Sequence, residues 1–339
     1  MKRTFIFAVL GVLTLLFCLQ AQRGGPPSAS ADLSTLEPLS ATTGSINFNA
    51  IAILRWYAAN LTAGFSVGNG PQGVAFDGAD VWVANSNSNT VTELQANNGK
   101  VVGTFTVGTS PSGVAFDGAN IWVTNKNSNN VTKLQASTGN VLGTFPVGDF
   151  PTGVAFDGAH IWVANLLADV PPYQGNVTEL AGDGTVLGTF NVGNNPTGVV
   201  FDGANIWVTN EMSATVTKLQ ASNGTVLGTF NVGTNPQGVA FDGSHIWVAN
   251  AGSNSVTKLQ ASTGSILGTF AVGSSPIGLA FNGGSIWVAN SGGNSVTKLG
   301  AESGTNLGSF EVGSFPFGVA FDGANIWVTN QNSNTVSKL

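Results

Sequence analysis

The chain has 339 residues, of which 42% are hydrophobic and only 8% charged, with a formal net charge of −6. That apolar share excludes a disordered chain, and eleven scattered Lys and Arg residues argue against a nucleic-acid partner, whose phosphates need a clustered basic face. The 46 glycines follow no three-residue period, which excludes collagen.

At the amino end, Lys2 and Arg3 precede an apolar run from Phe5 to Leu19, and the small residue Ala21 follows. Residues 1–21 read as a secretory signal peptide. The run falls short of the roughly 20 residues a bilayer-spanning helix needs. An uncleaved anchor is therefore the lesser reading, and no stable membrane insertion is expected after cleavage. Cys18 is the single cysteine, but a lipoprotein signal wants a small residue before it, and Phe17 is not small. Lipid anchoring is thus less favoured than a free, secreted or periplasmic protein. Cleavage after Ala21 leaves no cysteine, so the exported chain depends on no disulfide.

Residues 22–44 are rich in Gly, Pro, Ser, Ala and Thr and read as a flexible linker. Residues 45–60 form an apolar leader: Ile46, Phe48, Ile51, Ile53, Leu54, Trp56 and Tyr57 need cover and should pack on the main body, as strand or short helix.

From residue 61 to 339 the sequence repeats. Trp82, Trp122, Trp162, Trp207, Trp247, Trp287 and Trp327 keep a spacing of 40, with one interval of 45. Two phenylalanine ladders share the register, one with Phe116 and the other with Phe145 as members. A unit near 40 residues holding four short β-prone runs signals a propeller blade. In the second unit the expected strands are A (113–116), B (121–124), C (131–134) and D (141–147), with Asp117-Gly118 and Gly139 in the turns. Side chains alternate across a strand, and both faces of these strands are apolar, so each blade needs a neighbour on either side. Gly113 and Ala115 permit close approach near the axis. The seventh unit reaches Leu339 without a strand D, whereas Ala63-Gly64-Phe65-Ser66-Val67 supplies a spare one. The expectation is an all-β, seven-bladed propeller of four-stranded blades, closed by an N-terminal strand pairing into the last blade, which removes open sheet edges.

Ile-Trp-Val-Thr-Asn at 121–125, 206–210 and 326–330, followed by Ser-Asn-x-Val-Thr/Ser-Lys-Leu, resembles the YVTN-type β-propeller repeat, with Trp in place of its Tyr, and is similar to NHL-repeat propellers. The resemblance covers residues 62–339 and implies fold, not role. Streptogramin lyases are propellers of a similar repeat type. That resemblance would imply a catalytic His and Glu set, but His160 and His245 stand just before strand B, on the opposite rim from the expected site.

Residues common to all blades are read as structural. The ring Asn85, Asn125, Asn165, Asn210, Asn250, Asn290 and Asn330 is expected to close the loop after strand B through nearby backbone. The Asp77, Asp117, Asp157, Asp202, Asp242 and Asp322 series, with Asn282 in blade six, is expected to hold the A–B turns. A single ligand site needs asymmetry, and the differences gather on the rim of the D–A and B–C loops. Phe150 and Phe315 fall in D–A loops, while Phe317 and Ile277 stand at the start of strand A. Lys126, Asp149, Glu211 and Met212 are further departures, and blade three inserts residues in its B–C loop, with Asp169 and Tyr173. The rim is expected to be charged over blades two to four and apolar over blades six and seven. The favoured reading is a monomeric binding or scaffolding propeller, without cofactor, metal or chemistry of its own, that engages a protein, glycan or small molecule there. The alternative is a metal-dependent lyase or lactonase using Asp149, Asp169 and Glu211, whose oxygens would have to converge on one ion.

Overall fold

Most of the β-prone runs pair locally because, within a blade, each is joined to the next by three to five residues, the B–C connection of blade three (166–173) being longer. In the computed structural model, which describes residues 63–166 and 174–339, they form seven four-stranded antiparallel sheets in chain order. The expected signal (1–21), linker (22–44) and leader (45–60) lie outside the described residues, as do Asp169 and Tyr173. In blade two the strands are A (Pro111–Phe116), B (Asn120–Asn125), C (Asn130–Gln135) and D (Val141–Pro146). They run one or two residues beyond the expected bounds at most ends, because polar flanking residues such as Asn120 and Gln135 still pair across the ladder.

Strand B supplies the core. Six of the seven repeat tryptophans are fully buried, with Ile121 and Val123 and their counterparts beside them. The Trp82, Ala84 and Val91 face of blade one packs on Ile121, Val123 and Leu134 of blade two, and the pattern repeats around the ring. Within each blade the strand D phenylalanine lies against the tryptophan, with ring centroids 5.6 Å apart for Trp82 and Phe105.

The ring closes as the sequence pattern predicts. Ala63–Ser66 pairs antiparallel with Thr335–Lys338, Phe65 opposite Val336. Trp327 and Val336 of blade seven then pack on Val81, Val83 and Leu94 of blade one. Near the axis a Cβ on Gly113 would run into the Thr152 carbonyl oxygen of the next blade, so only glycine allows the strands A to approach so closely.

Candidate functional site

Every strand A begins Pro-x-Gly. The proline is buried at the strand's first position, where a missing N–H costs no ladder bond, and the glycine presses on the next blade. The intervening residue faces the axial mouth. Around the ring these are Gln72, Ser112, Thr152, Thr197, Gln237, Ile277 and Phe317, and the B–C loops add Lys126, Leu166 and Glu211. Together with the glycines they enclose a cavity of about 340 Å³, within the size range of small-molecule sites.

Four of the candidates, Lys126, Glu211, Ile277 and Phe317, therefore meet at one mouth. They divide it: Lys126 and Glu211 on blades two and four flank Leu166, and Ile277 and Phe317 form an apolar wall on blades six and seven. The threonines are already engaged, since Thr152 Oγ1 reaches the Pro196 and Thr197 carbonyls at 3.2 Å and Thr197 Oγ1 reaches those of Pro236 and Gln237 at 3.2 Å. Burial pushes the Glu211 carboxyl above its ordinary range, and the Gln237 amide and Lys126 ammonium only partly offset this.

The other candidates sit outside the cavity lining. Asp149 is exposed and accepts from Asn129 Nδ2 at 2.8 Å, and Met212 is exposed. Phe150 and Phe315 are half-buried in their D–A loops, their N–H groups donating to Asn129 and Asn294. Both are left-handed, with φ of 50° and 56°, where other blades place Gly70, Ser110 or Asn195. A bulky side chain there is strained by about 1–3 kcal/mol. Asp149 thus lies outside the cavity that Glu211 lines, and Asp169, the third acid of the lyase reading, lies outside the described residues. Among the described residues, no group of three His, Cys, Asp or Glu side chains is placed to hold a metal ion.

The shared rings are structural, with one correction. All seven asparagines are fully buried. Their amides bond strand C side chains rather than the backbone of their own loop: Asn125 Nδ2 donates to Asn130 Oδ1 at 2.8 Å and Thr132 Oγ1 at 2.9 Å. In two blades the carbonyl oxygen also links to the incoming D–A loop, the Gly193 N–H donating to Asn210 Oδ1 at 3.0 Å and the Gly233 N–H to Asn250 Oδ1 at 3.1 Å, whereas in the other five Oδ1 is buried without a partner among the described residues. The aspartates hold the A–B turns, Asp117 Oδ1 accepting from the Ala119 and Asn120 N–H groups. They also take the tryptophan N–H, at 2.7 Å from Trp122 Nε1 to Asp117 Oδ2. Both histidines lie at these turns, His245 Nδ1 lying 3.1 Å from Asp242 and His160 Nδ1 2.9 Å from Glu179.

Sequence reasoning missed Gln72, Gln237 and Leu166 as lining residues. For Gln72 and Gln237 the position before the axial glycine is the available signal; Leu166 follows strand B of blade three, where the sequence marks only the longer loop.

A family model described as outer membrane protein assembly factor BamB matches residues 212–336, from blade four into blade seven. No curated protein matches the chain. Among solved structures, hydrazine synthase from Kuenenia stuttgartiensis superposes with a TM-score of 0.72 at 20% identity, covering 81% of this chain and 96% of that one. Virginiamycin B lyase from Staphylococcus aureus superposes with a TM-score of 0.68 at 18% identity, covering 82% and 98%. The likeness is one of fold.

Proposed function

We propose that this chain is an exported binding propeller, without chemistry of its own, that takes a small amphipathic molecule at the axial mouth. One observation carries the reading: seven similar blades present seven equivalent axial positions, yet the mouth is charged on one side and apolar on the other. Symmetric stacking needs no such division. A ligand would lay its apolar body on Ile277 and Phe317 and turn its hydrogen-bonding or charged end to Lys126 and Glu211. Phe150 and Phe315 stand further out on the same rim as secondary contacts. Export rests on the basic, apolar and small-residue order of residues 1–21. Kinship with YVTN- and NHL-type repeats belongs to the same reading, resting on the Ile-Trp-Val-Thr-Asn units.

The BamB-type match supports an engaging or scaffolding role in general. The resemblance to a lyase supports an enzyme only if acids converge, and Asp149 stands outside the cavity that Glu211 lines. A thermal-shift panel of small amphiphiles carrying an amine, a carboxylate or both tests the proposal. At least one should raise the melting temperature of the wild type, since a ligand at about 100 times its Kd adds roughly 2.7 kcal/mol, and should fail to do so with Phe317→Ser. No stabiliser, or an equal response from the variant, would turn the reading toward a protein partner.

A further inference from the structure

Four blades carry a cation of their own at the junction with the next. Lys133, Lys218, Lys258 and Lys338 leave strand C and lie over the strand B tryptophan at 4.9–5.2 Å. Each then donates to a carbonyl of the following blade's C–D turn at 2.6–2.8 Å. Lys258 and Lys338 reach a second carbonyl of that turn, at 2.9 and 3.3 Å. An ammonium is thus held between an aromatic face and peptide oxygens, where it joins two blades that otherwise meet through apolar side chains.

Blade one builds the same place around a different side chain. Glu93 stands opposite Trp82 as Lys133 stands opposite Trp122. The C–D turn of blade two arrives as its sisters do: Gly139 sits against Phe105 as Gly264 does against Phe230, and Ala136 packs with Trp82 as Ala261 packs with Trp207. The Ala136 carbonyl is therefore the counterpart of the Ala261 carbonyl that takes Lys218. Glu93 is only 6% exposed. Among the described residues, the group in hydrogen-bond reach of its carboxyl is a second acid, Asp80, where the other blades place Asn, His or Ser. Asp77 is committed to the Ala79 and Asp80 N–H groups and to Trp82 Nε1. Blade three makes the same exchange of lysine for acid but answers it internally, with His160 Nδ1 2.9 Å from Glu179.

We propose that blade one takes a potassium ion from solution, held between the Glu93 and Asp80 carboxylates and the Ala136 carbonyl, in the place the other blades give to an ammonium. Potassium is close to ammonium in radius, and carboxylate and carbonyl oxygens are the donors a hard cation prefers. With Asp77 spent on its turn, two carboxylates remain, fewer than a calcium site normally gathers. The ion does for blades one and two what Lys218 does for blades four and five. Without it the two acids must share a proton, since burial and the charges of Asp80 and Asp77 push the Glu93 carboxyl up to about 7.

The test compares melting temperatures of the full chain at pH 8 in potassium chloride and in tetramethylammonium chloride of equal ionic strength. Potassium should raise the wild type by about 2 °C or more, as a ligand of the folded state does. Glu93→Lys gives blade one an ammonium of its own; it should melt above the wild type in tetramethylammonium and gain nothing further from potassium. Equal melting of the wild type in the two salts, or an undiminished potassium response in Glu93→Lys, would overturn the proposal. Should that variant fail to fold, Glu93→Gln answers the same question, because it removes the charge and should also lose the response. Thallous ion, which is close to potassium in size, should give an anomalous peak between the Glu93 carboxylate and the Ala136 carbonyl in crystals of the wild type; no peak there would refute the site.

Discussion

Each tryptophan N–H in the core must find an acceptor or cost about 1–3 kcal/mol. In six blades the turn aspartate provides it, at 2.7–2.8 Å. Burial works against the charged carboxylates of Asp117, Asp242 and Asp322, but the tryptophan and turn N–H groups outweigh it and hold all three below their ordinary range. Their contribution to stability is therefore present above the unfolded value of 3.8 and lost as pH falls through the lower folded one. Blade six departs from this arrangement. Asn282 Oδ1 keeps the turn bonds to Gly284 and Ser285, but Trp287 Nε1 is buried without a partner among the described residues. Asn282→Asp should supply the acceptor and stabilise the protein by about 1 kcal/mol at neutral pH, read by urea denaturation; an unchanged or lower midpoint would contradict this account. The turn role of these residues was legible from Asp-Gly spacing. The tryptophan bond was not, because it crosses the A–B hairpin and depends on which way the ring turns.

At the level of strands and blades, position 133 and its counterparts decide how neighbours are joined. Five blades carry lysine there, stacked on the tryptophan at 4.9–5.2 Å. Blades one and three carry Glu93 and Glu179. His160 answers Glu179, but blade one has Asp80 at the corresponding site. Burial first, and then the charges of Asp80 and Asp77, push the Glu93 carboxyl from 4.5 up to about 7. A raised acid pKa means the folded state holds the proton more tightly. The stabilising contribution is complete below 4.5 and disappears as pH rises through about 7. Glu93→Gln should accordingly flatten the decline of stability across that window and raise the melting temperature at pH 8, whereas matching pH profiles for variant and wild type would exclude the effect. The blades themselves were plain in the sequence, since the Trp and Phe ladders mark every strand B and D. Strand ends were less so, because the ladder extends through polar residues that carry no hydrophobic signal.

Over the whole molecule, near-identity of the blades made the closed ring readable: a spare strand before the first unit and a missing one in the last leave one way to complete seven sheets. The same repetition made the site partly readable, because departures stand out against it. Lys126, Glu211, Ile277 and Phe317 were found that way and converge on one cavity. Phe150, Asp149 and Met212 are departures too, yet they fall outside the lining; a sequence difference marks the rim but not the distance from the axis. Gln72 and Gln237 line the cavity although similar polar residues recur there, so contrast alone could not expose them. The amphipathic mouth is the claim on which the function depends, and native mass spectrometry of the protein purified from its native source tests it most directly. The account predicts one small molecule per wild-type chain, absent from the Phe317→Ser, Lys126→Gln double variant; an empty wild type, or a ligand retained equally by both, would contradict it.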